Sequence, residues 1–304
     1  MQGKDAISGV LVIDKPTGMT SHDVVNIVRR GTGIRRAGHT GTLDPRASGV
    51  LVILVGPAVR LSEYISASDK RYQAIIRMGT ATDTYDAEGA FTRDEVTVDV
   101  TEEQFEAELK KFEGEVEQTP PAYSAVKING RKAYEMARKG EEVEIEPRMI
   151  QVHHLEVLEW ATPEVVVDVH CSSGTYIRSL ANDLGEVLGC GAYLVGLRRT
   201  KNGRFSLRDA VPLRKLKEAF EAGDWYKHII PAAESLSDWP SVVLSPDEVE
   251  TLRHGQRVKV DADDPEDEMV RGISEADELV ALMKRVEGED GAFEWQPKKV
   301  FLIG

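Results

Sequence analysis

Residues Gly38 to Leu51 read Gly-His-Thr-Gly-Thr-Leu-Asp-Pro-Arg-Ala-Ser-Gly-Val-Leu. Glycines, hydroxyls, one histidine and one carboxylate are concentrated in a single loop. A glycine-rich loop against a buried element is where a fold exposes backbone to a ligand. The apolar run Val50 to Val55 that follows has the composition of a buried strand. Asp44 is the only acidic side chain in the loop. Pro45 follows it, which disfavours helical backbone and holds the carboxylate in an extended posture. A carboxylate so held can attack a carbon or move a proton. The loop is not a phosphate cradle, because no Gly-Lys-Ser/Thr follows and G-x-G-x-x-G is absent.

The elements that must position this loop follow from pattern. Val10 to Ile13 reads as a strand, broken by the turn chemistry of Asp14-Lys15-Pro16-Thr17-Gly18. Ser21 is placed to cap a helix whose Val24, Ile27 and Val28 share a face. Residues 71–78 alternate, with Tyr72, Ala74, Ile76 and Met78 on one side, which predicts a half-buried strand with Tyr72 at its leading end. Thr101 and Gln104 form a capping box before Phe105, Leu109 and Phe112 at helical spacing. Residues 164–170 predict a strand. After Cys-Ser-Ser-Gly comes a helix with Ile177, Leu180, Ala181, Leu184, Val187 and Leu188 on one face, stopped by Gly189. Strands and helices interleave without a βαβ period, so the fold class is α+β with a mixed sheet.

Trp239-Pro240 marks the expected domain boundary. Beyond it Ser245 and Glu248 form a second capping box, with Pro246 at the first helical position and Gly255 as the stop. Short β-like pieces are expected at Arg257 to Val260 and Val300 to Ile303, and the acidic run Asp261 to Glu268 reads as a solvated loop. The expected division is a catalytic domain, 1–240, and a small β domain, 241–304.

A chain of 304 residues, 41% hydrophobic and 30% charged, is ordinary for a soluble globular protein. Its apolar runs are too short to span a membrane, and the N-terminus lacks a hydrophobic signal region. The two cysteines, Cys171 and Cys190, form no C-x-x-C pair, so reduced thiols in a cytoplasmic protein are expected and a structural zinc site is not. The net charge of −14 argues superficially against a nucleic-acid partner. Its distribution does not: residues 241–304 carry −8 and the remaining 240 residues only −6. Compact basic clusters stand at Arg29, Arg30, Arg35 and Arg36, at Lys127, Arg131, Lys132, Arg138 and Lys139, and at Arg198, Arg199, Lys201 and Arg204. Phosphate contacts depend on local potential rather than total charge.

Further motifs frame the Asp44 loop. They are Asp14-Lys15-Pro16 with Gly18, Thr20 and Ser21; Thr82-Asp83-Thr84-Tyr85-Asp86 with Gly89; and Pro120-Pro121-Ala122-Tyr123-Ser124-Ala125-Val126-Lys127, continuing to Tyr134, Ala137 and Arg138. Gly174-Thr175-Tyr176-Ile177-Arg178-Ser179-Leu180 with Asp183-Leu184-Gly185, and Leu197-Arg198-Arg199-Thr200 with Gly203 and Phe205, complete the set. In order and spacing, from about residue 10 to 205, they resemble the bacterial tRNA pseudouridine-55 synthase (TruB) family. The resemblance implies a pseudouridine-synthase-like mixed, largely antiparallel sheet flanked by helices, with an RNA-gripping insertion around 120–148. More loosely, residues 241–304 resemble a PUA-type RNA-binding domain. It also implies an isomerase acting on uridine 55 in the T-arm loop of tRNA, by base flipping, with no cofactor, no metal, no membrane and no obligatory protein partner or guide RNA.

The resemblance assigns roles. Asp44 is the catalytic carboxylate, and Arg178 its partner, whose fork suits a carboxylate in bidentate fashion. Tyr72 is a stacking platform whose phenol could also serve a ring proton. Tyr176 and Leu197 border the uridine, and His39 contacts the RNA beside it. Lys15 belongs to the substrate pocket, more as its support than as a reactant. Lys127, Arg131, Lys132 and Arg138 grip the tRNA arm. Three alternatives stand beside this reading. A guide-RNA-dependent synthase subunit shares the core. A non-catalytic RNA-binding or RNA-folding protein could use the same fold. A nucleotidyltransferase is suggested by Gly38-His39-Thr40-Gly41 alone, without a second phosphate-binding motif.

Overall fold

The computed structural model describes residues 7–301 apart from 125, 129, 138, 142, 262–264 and 289–290. Two sheets carry the fold. The larger contains β1 (Gly9–Lys15), β2 (Ala37–His39), β3 (Ser48–Val55), β4 (Lys70–Met78), β5 (Gly114–Gln118), β6 (Arg148–Ala161), β7 (Glu164–Cys171), β8 (Ala192–Asn202) and β9 (Val211–Pro212). In space they run β9–β1–β3–β8–β4–β7–β6–β5, with β2 beside β3. Neighbours are antiparallel except β1–β9 and β3–β8. The sheet is therefore mixed and largely antiparallel, as expected.

Both faces of its centre are buried. Leu11, Ile13, Leu51 and Ile53 face one way, while Val10, Val12, Val50 and Val52 face the other. This is why Val50 to Val55 is a continuous apolar run rather than an alternating one. The first face is covered by α1 (Ser21–Thr32), α2 (Glu102–Lys110), α3 (Ile177–Val187) and α4 (Leu213–Ala222). Val24, Phe105, Leu180, Leu184 and Leu216 are their fully or almost fully buried contacts. The second face meets Leu61, Ile65 and Leu236, and also Leu279, Leu282 and Phe301 from the C-terminal part of the chain.

The capping boxes at Thr101 and Ser245 form as read. The first helix differs. Thr20, not Ser21, is its cap, with Oγ1 accepting from Asp23 N at 3.1 Å. The buried Ser21 hydroxyl instead accepts from Leu43 N at 2.8 Å and donates to Leu43 O at 3.0 Å, which ties α1 to the Asp44 loop. Val187 also departs from expectation. It is 56% exposed, and Leu188, one residue on, takes the core contact.

The second sheet comprises β10 (Ser241–Leu244), β11 (Val258–Lys259), β12 (Met269–Ser274), β13 (Leu279–Glu287) and β14 (Phe293–Val300), in the order β10–β12–β13–β14–β11. Helix α5 (Pro246–Arg253) packs on it, and Trp295 is fully buried at its centre. The strand expected from Val300 onward instead ends there, spanning Phe293–Val300; Pro297 hides it in the sequence, and β14 bulges beside that proline, at Lys298, between the pairs Leu282–Lys299 and Met283–Pro297. Ile303 lies outside the described residues. Among the described residues, no helix is long and apolar enough to cross a membrane.

Candidate active site

The Asp44 loop leaves β2 at His39 and enters β3 at Ser48. Two buried cations hold it from beneath. Lys15, fully buried, donates through Nζ to the carbonyls of Met19 at 2.8 Å, Pro16 at 3.0 Å and Pro45 at 3.4 Å. Burial pushes its ammonium down to about 8, against the pull of Asp44. Arg199, 1% exposed, donates to Val50 O at 2.7 Å, Gly41 O at 3.1 Å and Thr42 O at 3.4 Å. A buried cation persists only when its donors are used, and here the planar guanidinium sends a different nitrogen to each of three carbonyls. At the same crossing Gly49 has φ +99°, and a Cβ there would lie 2.2 Å from Arg199 O. Only glycine lets β3 and β8 approach so closely.

Above this support, Asp44 faces a cleft of about 630 Å³. Arg178, in the first turn of α3, places Nε 3.2 Å from Asp44 Oδ2. The expected bidentate fork on Asp44 is not what forms. The guanidinium is divided: Nη1 lies 3.1 Å from Asp86 Oδ2 and donates to Thr84 O at 3.4 Å, and Nη2 donates to Tyr123 O at 3.2 Å. One arginine thus joins the Asp44 loop, the Thr82–Asp86 loop and the segment leading into the insertion. Asp86, within the Thr82–Asp86 motif, is a member of this cluster that the sequence did not single out. It is held in turn by Thr84, whose Oγ1 donates to Oδ1 at 2.7 Å. Asp44 keeps 45% of its side chain accessible. Loss of solvent on the cleft floor raises its carboxyl above the ordinary value, Arg178 opposes that, and Asp86 and Glu88 reinforce it.

The walls are aromatic and apolar. Tyr72, buried at the start of β4, and Leu197 on β8 line the cleft beside Tyr176. Tyr176 precedes α3; its N–H donates to Gln118 Oε1 at 2.8 Å, its carbonyl accepts from Gln118 Nε2 at 3.0 Å, and the Arg148 guanidinium sits 4.9 Å from its ring centroid. Burial raises the Tyr72 phenol above its ordinary value, with Arg199 opposing. Ser124, 3% exposed, lines the same cleft, and its hydroxyl has no partner among the described residues.

Other expected contacts fall elsewhere. Lys15 lies under the loop, not in the cleft wall. His39 ends β2 half-buried, its Nδ1 accepting from Gly41 N at 3.3 Å, and it does not line the cleft. In the cluster at 198–204, Arg199 is buried and Arg198 pairs with Asp14 at 2.9 Å, so neither is a free phosphate contact. In the insertion, Lys127–Ile128 and Arg131–Lys132 form a small hairpin, and Arg131 pairs with Glu141 through 2.9 and 2.7 Å bonds. Arg138 and the side chains of Lys127 and Lys132 lie outside the described residues. Both cysteines are buried and unpaired.

The sequence matches the TruB family pseudouridylate synthase N-terminal domain over residues 29–177 and the tRNA pseudouridylate synthase B C-terminal domain over 178–237. The tRNA pseudouridine synthase B of Symbiobacterium thermophilum is 46% identical over 252 residues, covering 82% of each chain. The chain belongs to the TruB family. The synthase of Solibacter usitatus, 41% identical, covers 91% of this chain and 95% of its own. A TruB C-terminal match spans residues 240–280. The fold also resembles chains in a H/ACA ribonucleoprotein bound to a substrate RNA containing 2′-deoxyuridine (28% identity, TM-score 0.73, covering 97% of this chain and 85% of that one) and in a Cbf5-Nop10-Gar1 complex (30%, 0.73, 97% and 85%).

Proposed function

We infer that this TruB-family chain is a tRNA pseudouridine synthase that converts uridine 55 of the T-arm loop to pseudouridine, with Asp44 as its catalytic carboxylate. The observation that carries this reading is Asp44 beside Arg178 on the floor of a cleft walled by Tyr72, Tyr176 and Leu197. The reaction breaks the bond from ribose C1′ to uracil N1, turns the base and joins C1′ to C5. The C5 proton leaves and N1 regains one, so the product is an isomer and no oxidant, reductant or group donor enters the balance. An ionised carboxylate can supply the nucleophile, toward sugar or base, and can take a proton. Arg178 favours the ionised form against the desolvation that opposes it.

A stacked uridine must be extruded to reach Asp44, which costs a few kcal/mol. An aromatic face returns about 1–3 kcal/mol per base, the service available from Tyr72 or Tyr176. The raised Tyr72 phenol stays protonated at neutral pH and so can offer a hydrogen bond to the base. The unpartnered Ser124 hydroxyl offers a further hydrogen bond to whatever enters. The basic hairpin at 127–132 with Arg138 would grip the tRNA arm from outside the cleft. We place the protein with its substrate in the cytoplasm, acting without guide RNA.

The likeness to chains of H/ACA particles favours one second reading, a guide-dependent catalytic subunit. The higher identity to relatives named as tRNA pseudouridine synthases puts it behind the first. Purified protein should be given unmodified tRNA transcript alone, with tritium release from C5-labelled uridine followed and the product position mapped. Turnover at the T-loop uridine is expected. Turnover appearing only with added guide RNA and partner proteins would establish the second reading.

A further inference from the structure

Three neighbouring strands bring together ligands that the sequence scatters. Asp69 immediately precedes β4, His170 lies on β7 and His153 on β6. Strand β7 runs between the other two. The β6–β7 register shifts between Val152 and His154, leaving His153 as the bulged residue. A bulge re-aims a side chain, and here it puts the His153 ring 4.7 Å from the His170 ring, centroid to centroid. His153 Nε2 lies 3.1 Å from Asp69 Oδ2. One ligand atom from each of the three residues lies within 4.8 Å of the others.

We propose that Asp69, His153 and His170 form a site for a divalent transition ion of the zinc class, at the outer rim of the catalytic cleft. Ligand bonds of about 2.0–2.2 Å at tetrahedral angles put two ligand atoms on one ion about 3.3–3.6 Å apart, so His153 and Asp69, at 3.1 Å, already stand near that spacing and His170 has to close on them. Rotation of one imidazole therefore closes the set. Two imidazoles and one carboxylate suit zinc, cobalt or copper and are too soft a set for calcium or magnesium. Arg71, the cation paired across from His170, is drawn off by Asp168 at 2.5 Å. Asp69 and His153 are exposed, so an ion can enter and a fourth position stays open for water.

The ion would pin β4, β7 and β6 together where they meet the cleft. Lys70, next to Asp69, lines the cleft and donates to the carbonyls of Ser66 and Ser68, and Ser66 lines it too. The site would thus brace the rim and take no part in isomerisation.

The test is titration of untagged, EDTA-treated full-length protein with Co²⁺ alone, followed by its visible d–d absorption and by competition with Zn²⁺. One equivalent with tetrahedral-type intensity is expected in the wild type. His153→Ala/His170→Ala should bind at least about a hundredfold more weakly, and so should Asp69→Asn by about tenfold or more. His254→Ala, on a histidine paired with Glu250 beyond α5, should titrate as wild type. Zn²⁺ should raise the Tm of the wild type and not that of the double variant, whose Tm without metal reports its folding. Equal Co²⁺ titrations for wild type and for both ligand variants would overturn the proposal. So would an equal loss in His254→Ala.

Discussion

Asp44 shares one guanidinium with Asp86, so two carboxylates divide a single positive charge. Asp44→Asn should abolish isomerisation while leaving tRNA affinity within about tenfold, roughly 1.4 kcal/mol. Measurable turnover by the purified variant would remove Asp44 from the chemistry. The same substitution should not lower stability at neutral pH. The Asp44 carboxyl is raised in the folded state, so its contribution is most favourable at acid pH and is lost as pH climbs through the folded value. Asparagine removes that loss and leaves Arg178 matched with Asp86. Thermal unfolding at neutral pH should therefore give a Tm equal to or above wild type, and a clear fall would contradict the charge arrangement. Arg178→Met works in the opposite sense. It leaves two carboxylates unpaired, at a cost of about 3–5 kcal/mol if both stay charged. It also removes the largest influence that lowers the Asp44 carboxyl. The acid limb of the pH–rate profile should move to higher pH, whereas Arg178→Lys, which keeps the charge, should move it less. An unchanged limb in the methionine variant would show that Arg178 does not govern Asp44. Asp44 and Arg178 were legible because each stands in a dense motif, and Tyr72 because it leads an alternating strand that the family resemblance brings to the same pocket. Asp86 was not, because a carboxylate whose work is to share an arginine looks, in one dimension, like any loop aspartate.

At the scale of elements, the Asp44 loop is a span between β2 and β3 held by a cation reaching up from β8. Neighbouring residues on a strand point to opposite faces. Arg198 therefore turns to Asp14 while Arg199 turns under the loop, and counting charges along the sequence cannot see that division. The same blindness explains Ser21. Thr20 and Ser21 are equally good caps by type, and only the nearness of Leu43 in space gives the second hydroxyl other work. The continuous apolar runs of β1 and β3 and the alternation of β4 were readable, since they are set by local burial. Arg199→Lys preserves the charge but cannot reach the carbonyls of Gly41, Thr42 and Val50 together. An unmatched buried polar group costs about 1–3 kcal/mol, so Tm should fall by several degrees. Because the loop that carries Asp44 would lose its seat, kcat should drop by about tenfold or more, with a smaller change in KM. Equal losses in both parameters, or none, would mean that the clamp serves stability alone. Gly49→Ala tests the same crossing from the other strand. With φ +99° and the Arg199 carbonyl where a methyl would go, it should destabilise the protein by at least about 1–3 kcal/mol in denaturant unfolding.

At the scale of the whole molecule, the second sheet is more than an appendage. Leu279, Leu282 and Phe301 complete the core on the face of β1 and β3 that the helices leave open. Arg60 donates to Val300 O, and Lys299 meets Glu63. Each large apolar side chain uncovered there would forfeit about 1.5–3 kcal/mol. Although Trp239-Pro240 marks where the second sheet begins, the chain should unfold in one cooperative calorimetric transition. Two separated transitions would show the halves to be independent. The overall charge of −14 likewise has to be read by place. Residues 127–139 carry five basic groups and one acid, Glu135. Replacing Lys127, Arg131 and Lys132 by alanine should weaken tRNA binding and flatten its salt dependence by about one unit of log–log slope per lost phosphate contact. The single-turnover rate at saturating RNA should change little, because Asp44 and Arg178 lie in the cleft. The Arg131–Glu141 pair adds a discriminating variant. Both partners are exposed, so solvent screens the pair and a phosphate can displace Glu141. Glu141→Gln frees Arg131 without adding charge of its own. It should tighten tRNA binding up to about fivefold at low salt, and the gain should fade as salt rises. Weaker binding by Glu141→Gln, or a wild-type salt slope in the triple variant, would take this hairpin out of the RNA interface.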